Sequence, residues 1–440
     1  MNTNWLKYKY ITSNLNFFAT LLFVFWLPLK ADFLPAIMSF WIFTWLLEGN
    51  FKYRFNNFPN KSIYFAILFY FILNVLALLY SSNIDNGLYE IQKKLSMLLF
   101  PLIIIGSNDK LKNNYQIILT TFVIGNLIAS IYLLSNAFFS NLIIENGSWY
   151  IKHWHWKGFE QYSFWQLVNM RISNFSASFF SVLLHPSYFA MYIIFSITIL
   201  IYQFKNKIYK KKFNILIFST IAFFLFIIYL LQSRAGFLSL FFVIIFLVLF
   251  ELKIYRNKRL LLGGLILIII GFSFIFFSIN MQSGFSKLNN LLSKENKMEM
   301  IKQDTRFETW FSAIEIIKEN FWFGTSPDRL SDELSKKYIK YNFFDAEDHK
   351  LNTHNQYLES FASLGIFGII SLLIILILGI YHSLKTKNYL LFYLILILSI
   401  NFLFEAILNR IAGAIFMMFF YSIFTFSDIN KLENTKKVNF

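Results

Sequence analysis

Apolar runs of roughly 17–25 residues, the length that carries a helix across a bilayer, recur along the whole chain. They lie near 13–29, 33–48, 62–80, 96–107, 115–137, 184–203, 213–232, 236–252, 260–278, 364–382, 389–406 and 412–427. Spacing of this kind predicts an all-α polytopic membrane protein with about 12 transmembrane helices, and residues 1–440 read as one membrane domain. The run at 96–107 is short and contains Pro101, so it is expected to kink or re-enter rather than cross straight. Charged residues make up 15% of the chain, against roughly 25% in a soluble globule. Most of the surface is therefore expected to face lipid.

The net charge of +16 reads as a topology signal before it reads as a nucleic-acid footprint, because basic residues collect in the cytoplasmic loops of membrane proteins. Lys52, Arg54 and Lys61 precede the third run, and Lys205, Lys207, Lys210, Lys211 and Lys212 separate the sixth from the seventh. Lys253, Arg256, Lys258 and Arg259 separate the eighth from the ninth. Lys110, Lys112, Lys385, Lys387 and the tail residues Lys431, Lys436 and Lys437 agree with the same sidedness. Both termini are then cytoplasmic and the alternate loops external. Lys93 and Lys94 break the pattern, since they fall in an external loop. Lys7 and Lys9 before the first run are similar to a signal-peptide start, but no small-residue cleavage site follows, so an uncleaved first helix is expected. The absence of Cys excludes disulfides, thiol nucleophiles and Cys-ligated metals.

Polar chemistry is thus confined to three external segments. Residues 138–183 form an aromatic loop with Trp149, Trp154, Trp156, Trp165, His153, His155 and Arg171. Residues 279–363 form a large loop with more than half of the 24 acidic residues. The third is the short turn Gln232-Ser233-Arg234-Ala235-Gly236. The Trp cluster reads as an interfacial belt or as a sugar-stacking surface. His153 and His155 are spaced H-x-H with no evident third ligand, so no metal site is expected.

Within the large loop, Thr305-Arg306-Phe307-Glu308 and Thr353-His354-Asn355-Gln356 both read as capping boxes, with Thr at the cap and Glu or Gln three residues on. Phe307, Trp310, Phe311, Ile314 and Ile317 give the first helix an amphipathic spacing. Arg306 and His354 then occupy first helical positions. There, free N–H groups and the helix dipole favour anions and keep an imidazole neutral. Arg306 supplies a planar fork suited to phosphate oxygens. Arg234 sits where two apolar runs meet, a costly place for a charge without a partner or ligand; Ser233 and Gly236 are small and leave room beside it. The alternatives are a snorkelling Arg234, a surface ion pair at Arg306 and a solvated loop histidine at 354. His185, before Pro186, reads as a structural turn residue. Asp345, Glu347 and Asp348 read as solvated acids, one of which could orient His354, and Glu405 could pair with Arg410.

Together these residues resemble a family. His354-Asn355, nine residues, then Gly365-Ile366-Phe367-Gly368 is similar to the H-[N/S/Q]-x9-G-x-x-G signature of O-antigen ligases, which also follows a long periplasmic loop and precedes a span. Ser233-Arg234-Ala235-Gly236 resembles that family's arginine at the external start of a span. Thr305-Arg306 with Trp310, followed by Phe323-Gly324, resembles its second loop arginine with an R-x-x-x-W pattern. The likeness covers roughly residues 180–427, and the superfamily also holds O-antigen polymerases and protein O-oligosaccharyltransferases.

The resemblance implies a GT-C-type glycosyltransferase architecture in the bacterial inner membrane. It implies an undecaprenyl diphosphate-linked glycan as donor and a sugar hydroxyl of lipid A-core as acceptor. Direct inverting displacement needs a base and cations rather than paired carboxylates. His354 would be the base, and Arg234 and Arg306 would hold the diphosphate. Asn355, Trp310, Gly365 and Gly368 would support them, with no metal, cofactor or nucleic acid. A polymerase would use the same chemistry on a second lipid-linked glycan. A transporter or flippase would instead be expected to place its charged or broken-helix sites near the bilayer midplane.

Overall fold

The computed structural model describes residues 3–251 and 301–427, apart from positions 50, 52–54, 56, 57, 108, 146 and 303. The expected span near 260–278, the start of the large loop at 279–300, and the basic residues Lys52, Arg54, Lys253, Arg256, Lys258, Arg259, Lys431, Lys436 and Lys437 lie outside the described residues. The longer helices are α1 (Thr3–Trp26), α2 (Leu34–Glu48), α3 (Lys61–Leu76), α4 (Ile84–Lys94), α5 (Ser96–Ile105), α6 (Tyr115–Phe139) and α7 (Pro186–Lys205). They continue with α8 (Asn214–Leu231), α9 (Arg234–Phe246), α10 (Thr305–Glu319), α11 (Leu330–Tyr341), α12 (Gln356–Thr386), α13 (Tyr389–Asn401) and α14 (Ile411–Phe426).

Among the described residues, five helical stretches are long and apolar enough to cross a membrane: Lys61–Tyr80, Tyr115–Phe139, Pro186–Lys205, Lys211–Leu231 and Gln356–Thr386. The chain is an integral membrane protein. Every other predicted run within the described residues is also helical, but several of these helices are short. α5 has 10 residues, about 15 Å at 1.5 Å per residue, half the thickness of a hydrocarbon core. Pro101 is accommodated inside it. A helix of this length does not cross on its own.

The chain divides into two compact units. The first comprises residues 1–19, 39–115 and 290–440. In it α5 packs on α14, α3 on α12, and α12 on α13. The part of the large loop that is described is a folded layer. α10, α11 and residues 344–348 enclose Ala313, Ile316, Leu330, Leu334, Tyr338, Phe343 and Ala346 around Ala362 of α12. The buried stripe of α10 is Glu308, Thr309, Ser312, Ala313, Ile316 and Ile317. It is not the apolar stripe expected from the sequence, for Ile314 is 43% exposed. Small and polar residues face inward there, and of them Thr309 reaches a neighbouring segment, its hydroxyl lying 3.3 Å from the carbonyl of Thr353.

Lys93 and Lys94, the exceptions to the charge pattern, are both paired with Glu90, Lys94 at 3.4 Å. Lys94 is 3% exposed. Charges neutralised inside the fold carry little topological weight.

The second unit comprises residues 20–38 and 116–289. Here α7 lies against α8 and α9, and most of its side chains are buried. The expected aromatic loop has structure of its own, an antiparallel hairpin pairing Leu142–Glu145 with Ser148–Ile151. Among the described residues the fold is therefore helical with one two-stranded ribbon. Asn174 Nδ2 donates to Asn141 Oδ1 at 2.6 Å and to the carbonyl of Trp154 at 3.0 Å. His155 Nδ1 is 2.8 Å from Asn174 Oδ1, and its ring stacks on Phe179 at 3.9 Å.

Candidate functional site

Three segments of the first unit meet at the start of α12: the first turn of α10, the turn 352–355, and the loop 402–409 between α13 and α14. Their local structure corrects both expected caps. Asp304, not Thr305, caps α10, accepting the N–H of Arg306 at 3.0 Å. Asn355, not Thr353, caps α12, its Oδ1 accepting the N–H groups of Tyr357 at 2.9 Å and Leu358 at 3.1 Å. An Asx side chain reaches the first-turn donors as well as a hydroxyl does, and the Thr353 side chain is used elsewhere. Arg306 is thus the second residue of its helix. His354 lies outside α12, before the cap, at φ 45°, a left-handed conformation that a side chain with a Cβ seldom adopts.

Side-chain bonds hold that turn. The N–H of His354 donates to Asn352 Oδ1 at 3.0 Å. The buried Thr353 hydroxyl donates to Glu359 Oε2 at 2.6 Å, and Glu359 Oε1 accepts from Asn409 Nδ2 at 2.5 Å. The Thr309 hydroxyl is 3.3 Å from the carbonyl of Thr353. The N–H of Gln356 donates to the carbonyl of Phe402 at 2.7 Å, and the N–H of Leu408 donates to Gln356 Oε1 at 2.7 Å. Residue 354 is fixed from three sides, so its rare backbone conformation is over-determined by its neighbours.

His354 and Arg306 are brought together on one carboxylate. Glu405 Oε2 lies 3.4 Å from His354 Nδ1, and Glu405 Oε1 lies 3.5 Å from an Arg306 terminal nitrogen. The Glu405 side chain is 8% exposed, while Arg306 and His354 are about a quarter exposed. The Arg306 guanidinium also sits 5.7 Å from the centroid of the Phe404 ring, within cation–π range. The acid beside His354 is therefore Glu405 and not Asp345, Glu347 or Asp348. Glu405 pairs with Arg306 and His354, where a pair with Arg410 was expected. The sequence signal for it is an acid stranded in a short turn between two apolar runs, a position that calls for a partner.

Trp310 packs edge-on against Phe307, with ring centroids 6.0 Å apart. Gly365 and Gly368 have a backbone role. α12 is broken at Gly365, which takes φ 67° and ψ −161°. Residues 321–326 lie along the break. The N–H of Thr325 donates to Ala362 O at 2.9 Å, that of Ser326 to Ser363 O at 3.0 Å, and that of Ile366 to Phe321 O at 2.9 Å. A Cβ on Gly324 would come 2.4 Å from the Ser363 carbonyl carbon, and one on Gly368 would come 2.4 Å from the Ser360 carbonyl oxygen. Gly324 and Gly365 are what lets one backbone run against the other, and Gly368 lets α12 close up across its own break.

Arg234 lies in the second unit, as the first residue of α9. Ser233 caps that helix, accepting the N–H of Gly236 at 3.1 Å, and Gln232 turns the chain at φ 49°. Gly236 leaves no open room beside Arg234, because its added Cβ would come 2.8 Å from Ala190 Cβ of α7. The small residue serves helix packing. His185 caps α7 ahead of Pro186, accepting the N–H of Ser187 at 3.4 Å, which is the structural turn role expected of it.

Residues 219–373 match the family model described as O-antigen ligase. The matched segment contains Arg234, Arg306, His354, Gly365 and Gly368 and stops short of Glu405. An uncharacterized protein of Haemophilus influenzae is 25% identical over 393 residues, spanning 86% of this chain and 87% of its own length. The likeness to the O-antigen ligase superfamily, with its membrane glycosyltransferase-like enzymes, therefore holds over the segment that carries the motifs.

Proposed function

We propose that this chain, which carries an O-antigen ligase segment over residues 219–373, transfers a glycan from an undecaprenyl diphosphate carrier to a sugar hydroxyl of lipid A-core. The reaction takes place on the external, periplasmic face of the bacterial inner membrane, with both termini cytoplasmic. The convergence of His354 and Arg306 on the buried Glu405 carboxylate is the observation that carries the reading. It sets a proton acceptor and a fixed cation side by side at the head of a helix that enters the membrane.

In this mechanism His354 takes the proton from the acceptor hydroxyl. The oxygen forms a bond to the donor sugar's first carbon as the bond from that carbon to the diphosphate breaks, inverting the centre. Undecaprenyl diphosphate leaves with the electron pair, and Arg306 and Arg234 stabilise its charge. The carrier brings its own leaving group, and the chain has no GxxxxGK[ST] phosphate loop for a nucleotide donor.

The test is deletion of the gene followed by gel analysis of lipopolysaccharide and lipid-linked intermediates. Loss of all long-chain material with accumulation of the lipid-linked glycan supports the ligase. A ladder collapsed to core plus one unit means a polymerase of the same superfamily, and an unchanged ladder removes both.

A further inference from the structure

We propose that Trp322 and Phe323 of the large loop insert their rings into the boundary layer of the bilayer, between headgroups and acyl chains, so that a segment of that loop is itself held on the membrane. The inference rests on the chain's being an integral membrane protein and is independent of the reaction proposed above.

Two spans set the level of the membrane at this loop. α3 and α12 pack together and run in opposite directions. At one end Asn60 Nδ2, just before α3, lies 3.5 Å from His382 Nε2, near the end of α12. At the other end the hydroxyl of Tyr80, the last residue of the span Lys61–Tyr80, donates to the carbonyl of Phe323 at 2.8 Å. There too the N–H of Ile366, the first residue after the break in α12, donates to Phe321 O at 2.9 Å. The 20 residues of Lys61–Tyr80 rise about 30 Å, one hydrocarbon core. Residues 321–323 therefore lie across the ends of two spans, at the edge of that core.

At that level the rings are exposed, Trp322 by 63% and Phe323 by 67%. Phe323 packs against Phe367, with ring centroids 6.0 Å apart. Phe367 heads an exposed stripe of α12 that continues through Ile370, Ile374 and Ile377. Steps of three and four residues keep to one side of a helix, and on a membrane span an exposed apolar side faces lipid. A second exposed stripe, Phe65, Phe69, Ile72 and Leu76 of α3, runs to Leu79, 85% exposed and next to Tyr80. The two lipid-facing stripes thus reach the loop at Phe323. Polarity returns just past the span end, where Asp328 accepts from Ser81 Oγ at 2.8 Å and from the N–H groups of Ser82 at 3.1 Å and Asn83 at 3.2 Å. An exposed apolar patch rimmed by polar groups marks an interaction surface. An indole, with an apolar body and a polar N–H, is at home in the boundary layer of a bilayer. The next residues, Thr325 and Ser326, are bonded to Ala362 and Ser363 of α12, so immersing the two rings fixes the height of the folded layer above them.

The experiment uses the full-length chain, free of native Cys, in vesicles of phosphatidylethanolamine and phosphatidylglycerol. Phe323→Cys and Trp322→Cys each carry a nitroxide spin label. Asp332→Cys, exposed on α11, is the water reference, and Ile374→Cys, on the exposed stripe of α12, is the lipid reference. Power saturation reads collision with oxygen, which concentrates among acyl chains, and with a water-soluble nickel chelate. Labels at 322 and 323 are expected to collide with the nickel chelate several-fold less than the label at 332, and with oxygen more, at a depth between the two references. Nickel collision equal to that at 332 places the rings in water and overturns the proposal. Low collision with both reagents shows that protein covers the patch, a second copy of the chain included, and overturns it as well. Both rings are exposed, so replacing either removes little packing. If one label disturbs the fold, as judged by size exclusion against the wild type, the other position decides.

Discussion

The Cβ that Gly365 lacks would lie 2.1 Å from the carbonyl oxygen of Trp322. At φ 67° and ψ −161°, a region essentially reserved for glycine, a side chain at residue 365 adds roughly 1–3 kcal/mol of backbone strain to a direct overlap with main chain that has no freedom to retreat. Gly365→Ala is therefore expected to disrupt the junction between residues 321–326 and α12, giving poorly folded protein and lost transfer. Size-exclusion behaviour and thermal stability in detergent measure it, and a variant with wild-type melting temperature would show that the junction is softer than its contacts imply.

His354→Ala should leave expression and membrane insertion intact, since its turn is held by Asn352, Thr353 and Asn355 rather than by the imidazole. Transfer should fall by roughly 100- to 10,000-fold, the range for a lost general base. The informative comparison is with His185→Ala, whose effect should fall on the capping of α7. Wild-type transfer by His354→Ala with dead His185→Ala would mean that the wrong histidine has been assigned. The same assay with EDTA tests metal dependence, and transfer is expected to persist.

Arg306→Lys and Arg234→Lys keep the charge and lose the fork. Each should cost on the order of 100-fold in rate, the scale for one stabilising contact to a developing anion. Turnover in purified Arg234→Ala at the wild-type rate would remove α9 from the mechanism and leave Arg306 to hold the diphosphate.

Glu308 supplies a pH test away from the chemistry. Burial holds its carboxyl above the usual carboxylate range, Asp345 adds to the effect, and the Ala346 N–H opposes it. Its Oε2 is buried without a hydrogen-bond partner. A carboxyl raised in the folded state contributes stability fully below its unfolded value, and that contribution is lost as pH rises through the folded value. Glu308→Gln should therefore raise the melting temperature by a few degrees at neutral pH and flatten its dependence on pH above the carboxylate range. A lower melting temperature at neutral pH would show that the charge is compensated by its surroundings.

The proposed sidedness can be checked by single-cysteine labelling, which is clean in a chain with no native Cys. A Cys at Asp332, exposed on α11, should react with an impermeant reagent once the outer membrane is opened, and a Cys at Lys207 only after the inner membrane is opened. The reverse order would refute the orientation.

The five helical stretches long enough to cross a membrane were legible because a run of apolar residues needs no tertiary information. Arg306 and His354 stood out in the sequence as side chains at expected helix starts of the large loop, and Arg234 as a charge where two apolar runs meet. The caps were misjudged by one or two residues because Thr, Asn and Asp all offer an acceptor at the right reach, and only the fold decides which is free. Thr353 was already engaged by Glu359. Glu405 was visible as an acid in a turn, but its partners lie about 50 and 100 residues earlier in the chain, and no local pattern encodes such a pairing. The room supposed beside Gly236 was taken by Ala190, a contact between two helices that neither sequence segment announces.

The break at Gly365 also fixes a depth. As one helix, α12 has 31 residues, about 46 Å of rise, more than a hydrocarbon core of about 30 Å can hold. The portion after the break, Ile366 to Thr386, is about 31 Å long at the same rise and fills that core by itself. On the proposed orientation Gly365 marks the membrane boundary, and the histidine turn lies on the water side of it, about 15 Å further along the first part of α12. For the proposed donor, a carrier whose tail stays in the oil would bring its diphosphate to the boundary that Gly365 marks, below the histidine turn.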